Sequence, residues 1–103
     1  MPGARKGIIR ISRAHFDPAA ADDVVKLLLE ERAIIWPEQE KLPGYLDGSL
    51  GIDRQNGSMI WVTFWDSVEH ANALGSLPQM AASNGRFRAR GLKFDPISTH
   101  EIV

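Results

Sequence analysis

The chain contains no cysteine. That absence excludes disulfides, zinc sites built on thiolates and cysteine nucleophiles. It also lacks any apolar run near the ~20 residues that a membrane-spanning helix needs, so no membrane partner is expected. An excess of one charge is missing too. The formal net charge is -1, whereas a nucleic-acid-binding domain carries a basic excess, so nucleic acid is not an expected partner. No Gly-x-Gly phosphate loop and no Ser-His-Asp arrangement occurs. The histidines are His15, His70 and His100, and no two have the i, i+3 or i, i+4 spacing of a helical metal site. No metal and no cofactor are therefore expected. The start of the chain, MPGARKGIIRIS, is basic but has neither the apolar core nor the cleavage pattern of a signal peptide, which predicts a loose leader over 1–6 and a cytoplasmic protein.

What is present suits one globular domain. The 103 residues are 44% hydrophobic and 24% charged, and a domain of that size can bury roughly two thirds of its unfolded surface in one core. The stretch from Pro43 to Glu69 organises the rest. Tyr45 to Asp53 reads as a strand interrupted by Gly48 and Gly51. Ser58 to Trp65 is richer in β-branched and aromatic residues. Between them, Asn56-Gly57 tolerates positive φ at both positions and suits a tight turn. The period of two places Met59, Trp61, Thr63 and Trp65 on one face and Ile60, Val62 and Phe64 on the other. Both faces are apolar, so both must be covered.

Around this hairpin the chain reads in order. Gly7 to Phe16 is a first strand, with Ile9, Ile11, Arg13 and His15 on one face and Ile8, Arg10, Ser12, Ala14 and Phe16 on the other. Asp17-Pro18 caps and opens a helix whose apolar arc runs through Ala21, Val24, Val25, Leu28, Arg32 and Ile35 to about Trp36, where Pro37 kinks or stops it; Glu38 to Leu42 is then a last helical segment or a loop. After the hairpin, Asp66 and Glu69 suggest a capping box for a short helix ending at Gly75. Pro78 opens a further helix to about Arg90, with Met80, Phe87, Ala81 and Ala89 inward and Gly91 as its stop. Leu92 to Pro96 returns to the sheet, and Ile97 to Val103 is the last strand. The order is β-α-β-β-α-β, with the second α broken in two. Right-handed crossovers then give a ferredoxin-like α+β fold: an antiparallel sheet of order 4-1-3-2 with both helices on one face. The other face is too apolar for water, which predicts a homodimer packed sheet to sheet.

This pattern resembles the antibiotic-biosynthesis-monooxygenase domains of the dimeric α+β barrel superfamily. The resemblance rests on Pro43-Gly44-Tyr45, on Phe64-Trp65-Asp66-Ser67, and on Phe94-Asp95-Pro96-Ile97 with Glu101-Ile102-Val103. It covers nearly the whole chain from Gly7. It implies a homodimeric barrel with a small-molecule pocket in each subunit between helices and sheet. Some members oxidise aromatic quinols or polyketides without metal or flavin; others degrade haem. The haem-degrading branch needs an asparagine on the first strand and a histidine on the second helix. No asparagine occurs over 7–16 and no histidine over 78–90.

The candidate residues divide by type. Trp65, at the family's W-x-S position, reads either as a core aromatic or as an indole donor that orients a substrate oxygen. Trp61 extends an aromatic wall, Trp36 reads as a lid over it or as a staple of the first helix to the sheet, and Tyr45 is a further substrate-binding candidate. His15 and His70 are candidate bases, because imidazole titrates near neutrality. Arg86, with Arg88, Arg90 and Lys93, forms a basic run that reads as solvated surface or as an attractor of an anionic substrate. The expected activity is cofactor-independent oxidation of a small aromatic or quinol-like compound. The competing expectation is a non-catalytic ligand-binding or dimerisation module.

Overall fold

The computed structural model describes residues 6–103. Apart from Lys6, the expected leader lies outside them. Strand β1 (Ile8–His15) leads through a single 3₁₀ turn, Pro18–Ala20, into helix α1 (Ala21–Glu40). Strands β2 (Tyr45–Asp53) and β3 (Ser58–Trp65) form the hairpin. Helices α2 (Val68–Ala73) and α3 (Pro78–Ala89) follow, then the short strands β4 (Lys93–Phe94) and β5 (Ser98–Glu101). The sheet is antiparallel and open, in the order β2-β3-β1, with β4 and β5 both on the far edge of β1. This is the expected 4-1-3-2 order, with its edge strand interrupted. Pro96 has no N–H for the ladder, and the chain leaves the sheet between Phe94 and Ser98.

The alternation read from the sequence holds on both central strands. Met59, Trp61, Thr63 and Trp65 are buried toward the helices, as are Ile8, Arg10, Ser12, Ala14 and Phe16. Ile60, Val62 and Phe64 are half-buried on the other face beside Ile9 and Ile11. Register joins them: Ile11 faces Val62, and Ser12 faces Trp61. The core is one cluster in which β1 and β3 pack under Val24, Leu27, Leu28 and Ile35 of α1, with Leu74, Met80, Phe87 and Leu92 closing the other end. Burying a side chain such as Ile35 contributes roughly 1.5–3 kcal/mol.

Several local expectations are corrected. Helix α1 runs through Pro37 to Glu40. The missing N–H frees only the Ala33 carbonyl, and Ala33 and Pro37 are both exposed, so water satisfies it. Asp17 caps the 3₁₀ turn, accepting from the Ala19 amide, instead of α1 itself. Arg32 is exposed; Glu31 and Gln39 take the inward positions. The cap of α2 is Ser67, which accepts from the amide of His70, and not Asp66. The chain leaves α2 through a 3₁₀ turn, Leu74–Ser76, so Gly75 is no left-handed stop. In α3, Ser83 is buried where Ala81 and Ala89 were expected. In the hairpin turn only Gly57 has positive φ (75°). Asn56 instead donates to Asp53, whose carboxylate gathers the Gln55 and Asn56 amides. A longer loop built that way needs one left-handed residue, not two. Among the described residues, no helix is long and apolar enough to cross a membrane.

Candidate functional site

The aromatic candidates do come together. Trp36 on α1 lies 5.6 Å from Trp61 on β3, ring centre to ring centre. Tyr45 meets Trp65 edge to face at 5.4 Å. Gly48 makes this possible: a Cβ there would stand 3.0 Å from the Trp36 ring and 2.9 Å from the Tyr45 hydroxyl. A bulge between Tyr45 and Asp47 puts Tyr45 on the inner face of β2 and pushes Leu46 outward.

Both indole donors are already engaged. Trp65 is fully buried and its Nε1–H donates to Thr63 Oγ1 at 2.7 Å. Trp61 Nε1–H donates to Gln39 Oε1 at 2.9 Å. Gln39, also fully buried, offers its amide to the Tyr45 hydroxyl at 3.4 Å. Burial pushes the Tyr45 pKa above its ordinary value, so the phenol is kept neutral.

On the far side of Trp61 lies a narrow cavity between the sheet and α3. Its walls are Met59, Met80, Phe87 and Phe94, with Ser12, Ser83 and Asn84 as polar points. The space in it that water can occupy is about 10 Å³. That is room for about one water, so a ring enters only if α3 moves outward. Phe87 and Phe94 close the cavity edge to face at 6.0 Å, and the Arg88 guanidinium lies 5.3 Å from the Phe94 ring centre.

The remaining candidates lie elsewhere. His15 projects from the opposite face of the sheet, exposed, with Nε2 2.8 Å from Asp95. His70 sits on α2 with Nδ1 2.6 Å from Asp66, and that hydrogen bond holds the Asp66 carboxyl below its usual range. The pair packs against Gly44, where a Cβ would collide with both side chains. Arg86 does not face the cavity walls. Its guanidinium forms a fork on Glu31, with both contacts at 2.7 Å, tying α3 to α1. Arg86 holds the buried Glu31 carboxyl below its ordinary value.

Sequence reasoning passed over Gln39, Glu31 and Arg10. Gln39 lay beyond Pro37, in the stretch that reads as helix or loop. Arg10 did leave a signal: a cation between Ile8, Ser12, Ala14 and Phe16 on an otherwise inward face. Among the described residues no group of three or more His, Asp or Glu side chains is placed to hold a metal ion.

Known structures share this architecture. One is a protein named as an antibiotic biosynthesis monooxygenase from Deinococcus radiodurans; it superposes with a TM-score of 0.72 at 16% identity, over 93% of this chain and 92% of that one. SnoaB, a cofactor-independent oxygenase from Streptomyces nogalater, gives 0.66 at 13% identity over 93% and 92%. A protein from Caulobacter crescentus CB15, also named as an antibiotic biosynthesis monooxygenase, gives 0.64 at 19% over 97% and 93%. No family model matches the chain, and no curated protein does. The chain therefore has the antibiotic-biosynthesis-monooxygenase fold.

Proposed function

We propose that this chain is a homodimeric, cofactor-independent oxygenase for a small phenolic or quinol-like aromatic compound, bound in each subunit between the sheet and α3. The observation that carries the reading is the narrow apolar cavity beside Trp61, walled by Phe87 and Phe94, in a fold shared with a cofactor-independent oxygenase. An apolar pocket with a few polar points is the usual form of a small-molecule site.

The chemistry follows from the substrate. A phenol loses its proton, and the electron-rich anion reacts with dioxygen at an ortho or para ring carbon that bears hydrogen. That carbon's hydrogen and the hydroxyl hydrogen leave with one oxygen atom as water; the other oxygen becomes the new carbonyl. The chain's part is to exclude bulk water and hold the ring against Trp61. Neither candidate base borders this cavity: His70 is held by Asp66 at the Trp65 end of the sheet, and His15 pairs with Asp95 on the opposite face. The phenol therefore gives its proton to solvent as it binds.

A second reading is non-catalytic binding of a small ligand. It is favoured by the indoles of Trp61 and Trp65, whose N–H groups are engaged by Gln39 and Thr63. Oxygen uptake with a panel of hydroquinones and acidic phenols separates the two. The oxygenase reading predicts consumption that Ser83→Leu, which fills the cavity, abolishes in a folded protein. No uptake across the panel from a folded protein selects the binding reading.

A further inference from the structure

Arg10 is buried against the helix layer, with 5% of its surface exposed. Among the described residues its side chain makes no ion pair or hydrogen bond, and its Nη1 is a fully buried donor without a partner. Glu31 is the one buried carboxylate among the described residues, and Arg86 already holds it with a two-pronged bond. A guanidinium stays charged in proteins, and burial alone acts to lower its pKa here with no partner opposing it. Leaving such a charge uncompensated is costly, so buried cations are normally paired. A second buried atom without a partner, the Gln79 side-chain oxygen, sits at the start of α3.

The position is informative. Arg10 and Ser12 point to the same face of β1, and Ser12 lines the cavity beside Trp61. Neighbours on one strand face stand about 7 Å apart, a span that a single ring and its acidic group can bridge. The other end of the guanidinium lies under Gly75, where a Cβ would come within 3.4 Å of Nη2. Gly75 is exposed, so this is the side from which a ligand reaches the charge.

We propose that Arg10 is the anion seat of the cavity, and that its ligand is an aromatic anion: a ring between α3 and Trp61 with its carboxylate or ionised phenolic oxygen on the guanidinium. This rests on the reading that the ligand lies between sheet and α3, but it requires no turnover. A charge-assisted bond from buried Arg10 also favours the ionised phenol over the neutral one.

Thermal unfolding and binding titrations with salicylate, neutral salicylamide and inorganic phosphate test this on wild type, Arg10→Leu and Arg10→Lys. Salicylate is expected to raise the wild-type Tm and to bind at least about tenfold tighter than salicylamide. Arg10→Leu is expected to fold with a Tm no lower than wild type, because it removes an uncompensated buried charge. It should lose the preference for salicylate, and Arg10→Lys should keep part of it. A large loss of stability in both variants would show a structural arginine and overturn the proposal. So would an equal response of wild type and Arg10→Leu to salicylate, or phosphate stabilising as well as salicylate, which marks an adventitious ion only. Arg10-dependent salicylate binding without oxygen uptake leaves this proposal standing and removes the oxygenase reading alone.

Discussion

At the residue scale, the buried Glu31–Arg86 fork shows what a sequence conceals. Arg86 reads locally as one of several cations in a basic run, and its partner lies 55 positions away. Periodicity cannot pair two such residues; only the packing of α3 on α1 does. The same limit hid Gln39, which bonds Trp61 across 22 positions. Removing Arg86 leaves a buried carboxylate alone, so Arg86→Leu should lower Tm by on the order of 5 °C or more. The pH dependence has a definite sign. Arg86 lowers the folded-state pKa of Glu31 below its ordinary 4.5. A depressed carboxylate contributes stability above its unfolded pKa and loses it as pH falls through the folded one. The Tm gap between wild type and Glu31→Gln should therefore be full near neutrality and shrink below about pH 4.5. A gap that stays constant through that range would rule out this linkage.

At the scale of elements, patterning was the legible part. Period-two alternation placed β1 and β3, and the i, i+3, i+4 arc placed α1, because the apolar face of each element must meet the core. Ends were less legible, since several residues compete for each cap and the winner depends on the incoming chain direction. Asp66 and Ser67 can both cap α2. Ser67 wins because Asp66 is turned toward His70. Ser67→Ala should thus cost about 1 kcal/mol in urea unfolding with an unchanged slope, and Asp66→Ala should cost less. The reverse order would make Asp66 the cap after all. Pro37 was ambiguous in the same way: the sequence allows a kink, a stop or a further helical segment, and the helix continues where the freed Ala33 carbonyl is exposed to water. Of the candidate site, the aromatic wall was readable because aromatics on one strand face share a neighbourhood. The cavity was not, because Ser12, Met59 and Phe87 come from three distant stretches.

At the scale of the molecule, the central claim is that the sheet buries both faces, one under its own helices and the other against a second copy. Within a single chain, Ile9, Ile11, Ile60, Val62 and Phe64 are only half-buried on the outer face, and among the described residues no helix packs there. Contiguous apolar surface of this kind marks association, and a two-fold axis makes one face its own complement. A carboxylate set into that face would be driven into an apolar interface without a partner, so Val62→Glu should dissociate or unfold the protein. Equilibrium sedimentation at micromolar concentration tests the claim most directly. The account predicts a wild-type species of twice the chain mass that Val62→Glu abolishes. A folded wild-type monomer at that concentration would contradict it.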